Sequence, residues 1–420
     1  MTAAAQTSHR RVLFASLVGT SVEFYDFYIY STAAALVFGD LFFPKASPTA
    51  QQMLAYATAG VAFVARPVGG LFFGHFGDRI GRKSTLVASL LTMGLSTLLV
   101  AFLPTYAGAG YLAPLALCLL RFGQGFGLGG EWSGAALLAV EHAPPGWRAR
   151  YGIVPQLGAP VGFIAANGLF LLLSTQLSPV QFHDWGWRIP FAFSVVMVGI
   201  GLWIRLSLTE TPEFAAALAE APPPRVPLAE VVGRHGGVLV VGTVATIACF
   251  LLYYLSTVFV LGYGTKTLHY SMAQMLIVEL IAITCMAASI LASGWLADRK
   301  FDERAVLMFG CVGSIAAGFA LAPMLSAGLG GVLGFLCISQ VLMGLVYGPL
   351  GAWLPGLFPP RVRYTGASAA FNIAGVLGGG LTPIVAQKLT AMGGLAYVGY
   401  YASGAAALSL IALLMVRSRK

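Results

Sequence analysis

The feature that most constrains this chain is a succession of twelve apolar stretches, each close to the roughly 20 residues that an α-helix needs to cross a bilayer. They run at about 11–38, 52–74, 85–103, 110–140, 151–176, 189–207, 237–263, 272–296, 305–323, 330–355, 362–388 and 394–416. Only short loops remain between them. Of 420 residues, 58% are hydrophobic and 9% charged, against about 25% charged in an ordinary soluble domain. Water could not keep so apolar a surface dispersed. A soluble enzyme, a disordered chain and a nucleic-acid binder are thereby excluded, and an all-α protein of twelve transmembrane helices in a lipid bilayer is predicted.

The basic residues give the orientation. Eighteen of the 24 Lys and Arg fall in alternate connections or at the ends, from Arg10 and Arg11 through Arg148, Arg150, Arg361 and Arg363 to Arg417, Arg419 and Lys420. The other connections hold only Lys45, Arg188, Lys266 and Lys388. By the positive-inside rule the richer side is cytoplasmic, which places both termini inside. The first stretch carries Glu23 and Asp26 and lacks a small-residue cleavage site, so it reads as a span and not as a secretory leader. The five cysteines lie singly within apolar stretches and read as small buried hydrophobes. The six histidines lack metal-ligand spacing, and neither metal nor cofactor is expected.

The chain also repeats itself. Gly74-His75-Phe76-Gly77-Asp78-Arg79 returns as Gly294-Trp295-Leu296-Ala297-Asp298-Arg299, and Arg150-Tyr151 returns as Arg363-Tyr364, both pairs in equivalent loops. Two parallel copies are expected to pack about an axis along the membrane normal, with a site near midplane between them. An N-terminal six-helix bundle, 1–208, and a C-terminal one, 237–420, are joined by a cytoplasmic linker, 209–236, that contains Pro222-Pro223-Pro224.

Charges inside spans are expensive, by at least about 2.5–3.5 kcal/mol, and face a cavity or a partner. Here they are Glu23, Asp26, Arg66, Arg121, Glu131 and Glu279. Glu23 and Asp26 are three apart and share a helical face. A carboxylate beside an arginine holds its charge, and when the partner leaves, desolvation favours the protonated form. This is the chemistry of a coupled symporter. Asp26 is the leading candidate proton carrier, with Arg121 as its switching partner and Glu131 and Glu23 as alternatives. Static ion pairs, Asp26–Arg121 or Glu131–Arg66, are the competing reading. Arg66 and Arg121 could instead take an anionic substrate through paired hydrogen bonds. Glu279 is either a pocket residue or one facing an aqueous vestibule.

Further polar or amphipathic groups inside spans are candidates for substrate contact. They are Tyr25, Gln124, Gln156 and Asn167 in the first half, and Tyr253, Tyr254, Gln340, Tyr347 and Asn372 in the second. Each could equally be glue between helices. The aromatic run Tyr25, Tyr28, Tyr30 surrounds Asp26. Gly123 with Gly127, and Gly375 with Gly379, give the small-xxx-small spacing of close helix contact.

Several runs resemble the major facilitator superfamily. Gly74-His75-Phe76-Gly77-Asp78-Arg79-Ile80-Gly81-Arg82-Lys83 matches its signature after the second helix, and Arg121-Phe122-Gly123-Gln124-Gly125 resembles its fourth-helix motif. Within it the chain is similar to the metabolite:proton symporter family, through Val22-Glu23-Phe24-Tyr25-Asp26-Phe27-Tyr28, Arg66-Pro67-Val68-Gly69-Gly70, Gly129-Gly130-Glu131-Trp132 and Trp185-Gly186-Trp187-Arg188. Its shikimate-permease-like branch is the nearest likeness. The matching runs span about 19–213, and the second half agrees more loosely.

The resemblance implies proton-driven uptake of small carboxylates or zwitterions across a bacterial inner membrane by alternating access, by a monomer. It also implies a cytoplasmic gate built from Gly74, Asp78, Arg79, Gly81 and Arg82, with Asp298 and Arg299 in the second copy. After Asp298-Arg299 the chain reads Lys300-Phe301-Asp302 in place of the signature's continuation, so the second latch is expected to be weaker or to use different charge pairs. A proton-coupled exporter of drugs or antibiotics on the same fold is the alternative. No nucleophile–base pair for an enzyme is evident.

Overall fold

The computed structural model describes residues 3–80, 82–129, 131–141, 143–207, 227–359 and 362–416. The side chains of 3–12, 74–80, 82–86, 131, 133, 138, 204, 205, 207 and 227 are not part of that description. The longer helices are α1 (Ala3–Ala33), α2 (Pro48–Ile80), α3 (Arg82–Val100), α4 (Leu112–Leu128), α5 (Glu131–Glu141), α6 (Arg148–Gln156), α7 (Gly158–Gln176) and α8 (Ile189–Ser207). After the linker come α9 (Pro227–Tyr254), α10 (Met272–Arg299), α11 (Glu303–Leu325), α12 (Gly328–Tyr347), α13 (Leu350–Gly356), α14 (Arg363–Ala374), α15 (Thr382–Gly393) and α16 (Leu395–Met415). Nine helical segments among the described residues are long and apolar enough to cross a membrane. Two shorter apolar helices, Val87–Val100 and Leu112–Leu128, lie within the stretches expected at 85–103 and 110–140.

Large apolar side chains stand exposed around the outside, among them Phe102, Leu119, Trp203, Phe319 and Leu414. Hydrocarbon is the solvent such a surface requires. The stretch expected at 330–355 is interrupted at Pro349, which caps α13.

Three helices widen locally into π turns: Ala34–Phe38 after α1, Leu255–Phe259 after α9, and Gly375–Gly380 after α14. The first two are 221 residues apart, close to the 220 that separates the repeated Gly74 and Gly294 runs. A π turn leaves backbone carbonyls without their usual helical donor. Gln52 of α2 donates to two of them, Ala34 and Ala35, at 3.5 and 3.3 Å.

Contacts between the first and second parts of the chain run along two seams. One places α10 against α6 and α7; the other places α2 against the third π turn and α15. Within the first part, α2 and α4 meet backbone to backbone. A Cβ added at Gly69 would collide with the Phe126 carbonyl, and one at Gly125 with that of Ala62. Gly123 and Gly127 approach α3 instead, at Ser96 and Ser89.

Candidate transport site

Between the two parts lies a cavity. The first part contributes Thr20, Glu23, Tyr28, Arg66 and Trp132, the second Tyr253, Tyr254, Tyr347, Phe371 and Asn372. Eight of its eighteen lining residues are aromatic, which makes the wall rich in ring faces. Tyr28 stacks on Tyr253 across the seam at 5.3 Å, and Trp132 lies parallel to Phe371 at 3.6 Å.

Arg66 brings positive charge to this wall. Its guanidinium lies over the rings of Phe27 and Phe63, at 4.4 and 4.9 Å from their centroids. Its Nε donates no hydrogen bond. Glu23, Tyr28, Tyr254 and Tyr347 are within electrostatic reach of it.

Asp26 is set apart from it. It is 1% exposed, the Thr97 hydroxyl lies near enough to act on its carboxylate, and no hydrogen bond of good geometry reaches either oxygen. Phe27, Met93, Gln124 and Leu128 surround it. Leu128 also lines the cavity, so this side chain and the adjoining Phe27 stand between Asp26 and that space.

The expected ion pair between Asp26 and Arg121 is not formed in this conformation. Arg121, fully buried, donates to the Ala59 carbonyl at 3.3 Å and to Gln124 Oε1 at 3.0 Å. Gln124 lies three residues along the same helical face and in turn donates to Thr97 at 2.8 Å. The guanidinium also covers Phe27 and Tyr30, at 4.3 and 4.1 Å. Two cationic groups thus share the ring of Phe27.

Of the ten residues expected to contact substrate, Arg66, Tyr253, Tyr254, Tyr347 and Asn372 line the cavity. Glu23, expected as an alternative proton carrier, lines it as well. The others are placed elsewhere. Tyr25 turns away to donate to the Pro190 carbonyl at 2.8 Å, and Asn167 accepts from Thr32 at 2.7 Å, so both join helices within the first part. Gln124 serves Arg121. Gln340 is buried in α12 outside the cavity lining. Gln156 bridges the seam, accepting from Trp132 Nε1 and donating to the Tyr347 carbonyl, each at 2.9 Å. Asn372 donates across it to the Gly129 carbonyl at 3.1 Å.

Trp132 and Phe371 were not foreseen as site residues, because an aromatic inside a span carries no mark separating cavity wall from lipid face. The Glu131 side chain, expected in the proton path, lies outside the described residues.

Two sets of polar contacts, one toward each end of the helices, join the two parts. At one end the Asp298 carboxylate accepts from the backbone N–H groups of Ala149 and Arg150, each at 3.0 Å, and pairs with Arg150 Nε at 2.9 Å. Those amides are the first free donors of α6, where a helix favours a negative charge. Asp298 of the second copy of the repeated run thus pairs with Arg150 of the first part, while Arg299 is exposed. The side chains of Gly74, Asp78, Arg79 and Arg82, and Gly81 altogether, lie outside the described residues. At the opposite end Tyr56 donates to the Val258 carbonyl at 3.2 Å, and Lys266 pairs with Asp40 at 3.4 Å.

The sequence matches the family model of the Major Facilitator Superfamily over residues 16–383. It is 47% identical to the inner membrane metabolite transport protein YhjE of Escherichia coli, over 98% of this chain and 95% of that one. It is 37% identical to the Escherichia coli shikimate transporter, over 90% and 87%. In structure it resembles the Escherichia coli xylose transporter XylE in a partially occluded inward-open conformation, with a TM-score of 0.77 at 17% identity, over 97% of this chain and 96% of that one. The matched length, the aromatic cavity between two parts of the chain and the lipid-facing exterior agree: this multi-pass membrane protein belongs to the major facilitator superfamily and is a transporter, not an enzyme.

Proposed function

We propose that the chain is a proton-coupled symporter that imports a small polar metabolite, an organic acid such as a shikimate-like carboxylate, by alternating access. In this reading twelve spans form two six-helix bundles, 1–208 and 237–420, joined by the linker 209–236. Both termini are cytoplasmic, the membrane is a bacterial inner membrane, and the working unit is a monomer. Asp298–Arg150 then closes the cytoplasmic end and Tyr56–Val258 the outer one.

The observation that carries the reading is the separation of labour around Phe27. Arg66 faces the cavity, where it can take a carboxylate through paired hydrogen bonds. Asp26 lies behind Phe27 and Leu128, buried, with the Thr97 hydroxyl near it and no cationic partner. Burying an ionised carboxylate without a partner is strongly unfavourable, so the site calls for a proton or for a moved guanidinium. Arg121, tied by Gln124 and Phe27, is the guanidinium that moves. Substrate drawing Arg66 away from the shared ring alters the field on Arg121 and through it on Asp26. The shikimate transporter among the relatives supports a carboxylate.

Export of an aromatic drug is the second reading, favoured by the aromatic wall; Arg66 and Glu23 within that wall argue against it. The decisive experiment uses proteoliposomes with a panel of labelled carboxylates, zwitterions and antibiotics, with and without a protonophore. Import predicts accumulation that the protonophore abolishes and that Asp26→Asn loses while exchange persists. Full gradient-driven accumulation by Asp26→Asn would sink the assignment, and accumulation raised by the protonophore would favour export.

A further inference from the structure

Glu279 takes no part in the chemistry assigned above, yet it is among the most deeply buried charged groups of the chain. It follows Met272, the first residue of α10, by seven positions, about 10 Å along the helix. It is 2% exposed, and neither carboxylate oxygen has a hydrogen-bond partner. Its charge reaches Tyr56 on α2 and Tyr253 on α9.

Tyr56 belongs to the closure at this end of the cavity. Its hydroxyl spans the seam to the Val258 carbonyl in the second π turn, and Gln52, one turn earlier on α2, holds the freed carbonyls of the first. Gly262 is where this closure has no spare room, because a Cβ there would strike the Tyr56 hydroxyl. Gln52 Oε1 is buried there with no donor of its own. The closure is thus polar, and it buries a carboxyl group that has no cationic partner.

The ionisable groups on elements packed against α10 do not relieve this. Lys266 is paired with Asp40, and Tyr263 and Cys337 are neutral side chains in ordinary conditions. The α7 helix carries no ionisable residue. Arg148, Arg150, Glu303 and Arg304 belong to the opposite end of α10, beside Asp298 and Arg299. Among the described residues no ion pair reaches Glu279.

We propose that Glu279 is a second proton-binding site, distinct from Asp26, and that its proton closes the Lys266 end of the cavity. Closing this seam over an ionised carboxylate strands a charge without a partner. Closing it over the acid removes that charge and adds a hydroxyl that can donate. Opening admits water and lets the proton leave. The site rests on the alternating opening of the two ends and needs neither Asp26 nor any particular substrate.

The test is a distance across that end in purified full-length protein, with the five native cysteines replaced by alanine and spin labels at Thr49→Cys and Thr267→Cys, both exposed. Pulsed electron resonance in wild type should show the closed-to-open ratio rising by about tenfold or more as pH falls. Asp26→Asn should keep that response, while Glu279→Gln, neutral at every pH, should stay closed throughout. If Glu279→Gln does not fold, Glu279→Asp carries the test and should respond with a displaced midpoint. A flat wild-type profile, a wild-type-like response in Glu279→Gln, an unmoved midpoint in Glu279→Asp, or a response to sodium at fixed pH instead of to protons would each overturn the proposal. A response lost in Asp26→Asn would overturn it too. A response that survives Asp26→Asn and vanishes in Glu279→Gln stands even if the symport reading above fails.

Discussion

Arg66 and Arg121, carried by different helices, stand over one phenyl ring, that of Phe27, at 4.4 and 4.3 Å from its centroid. Two like charges so close repel, and the electron-rich ring face is what lets them remain neighbours. Each contact contributes about 0.5–2 kcal/mol. Phe27→Leu keeps the apolar bulk and removes the ring. It should weaken binding of the substrate found by the panel roughly tenfold and lower gradient-driven accumulation more than exchange. Phe27→Tyr should retain both. Equal loss of exchange and accumulation in Phe27→Leu would reduce the ring to packing.

Arg66 presents a planar fork that a lysine cannot reproduce. Arg66→Lys keeps the charge and should raise the apparent KM for a carboxylate substrate by about 10- to 100-fold, with a smaller effect on the maximal rate. Uptake kinetics in vesicles decide the point, and an unchanged KM would move the carboxylate contact elsewhere.

The Arg150–Asp298 contact joins distant parts of the chain, with side chains 15% and 5% exposed. Removing one partner of such a desolvated pair costs about 2–5 kcal/mol. Asp298→Asn should therefore loosen this end and raise the labelling rate of a cysteine placed within it. Arg150→Gln should do the same, and the double variant should fall short of the sum of the two by at least about 0.5 kcal/mol. Strict additivity would show that the two act independently.

Gly69 packs against the Phe126 carbonyl, which is backbone and cannot swing aside. Gly69→Ala should push α2 off α4 and lower stability by roughly 1–3 kcal/mol, read from thermal unfolding in detergent. Gly199→Ala, where a Cβ meets nothing within 4 Å, serves as the matched control and should be near neutral.

Most of the outline was legible because hydrophobic length is a local property. A run such as 272–296 has to be a helix wherever it packs, and α10 follows it within a few residues. The charges within spans were equally plain, since an arginine among leucines has few reasons to be there. Arg66 and Glu23 do reach the cavity.

What the sequence withheld is which way a polar side chain turns. Tyr25, Asp26, Phe27 and Tyr28 are consecutive on one helix, so they point in four directions. Tyr25 faces α8, Asp26 faces Met93 and Gln124, Phe27 the two arginines and Tyr28 the cavity. The rotation that sorts them depends on helices far along the chain. Gln124 shows the same limit, because its carbonyl takes the Arg121 hydrogen bond that spacing alone could equally award to Asp26.

The widened turn at Ala34–Phe38 holds one residue more than an ordinary helix would need to cover the same rotation. Deleting one residue there would restore the ordinary repeat with little change of phase in the chain beyond it. The carbonyls of Ala34 and Ala35 would then find donors inside their own helix, and Gln52 would lose both acceptors it holds. The extra residue therefore serves to free acceptors for a neighbouring helix, not to aim the chain that follows.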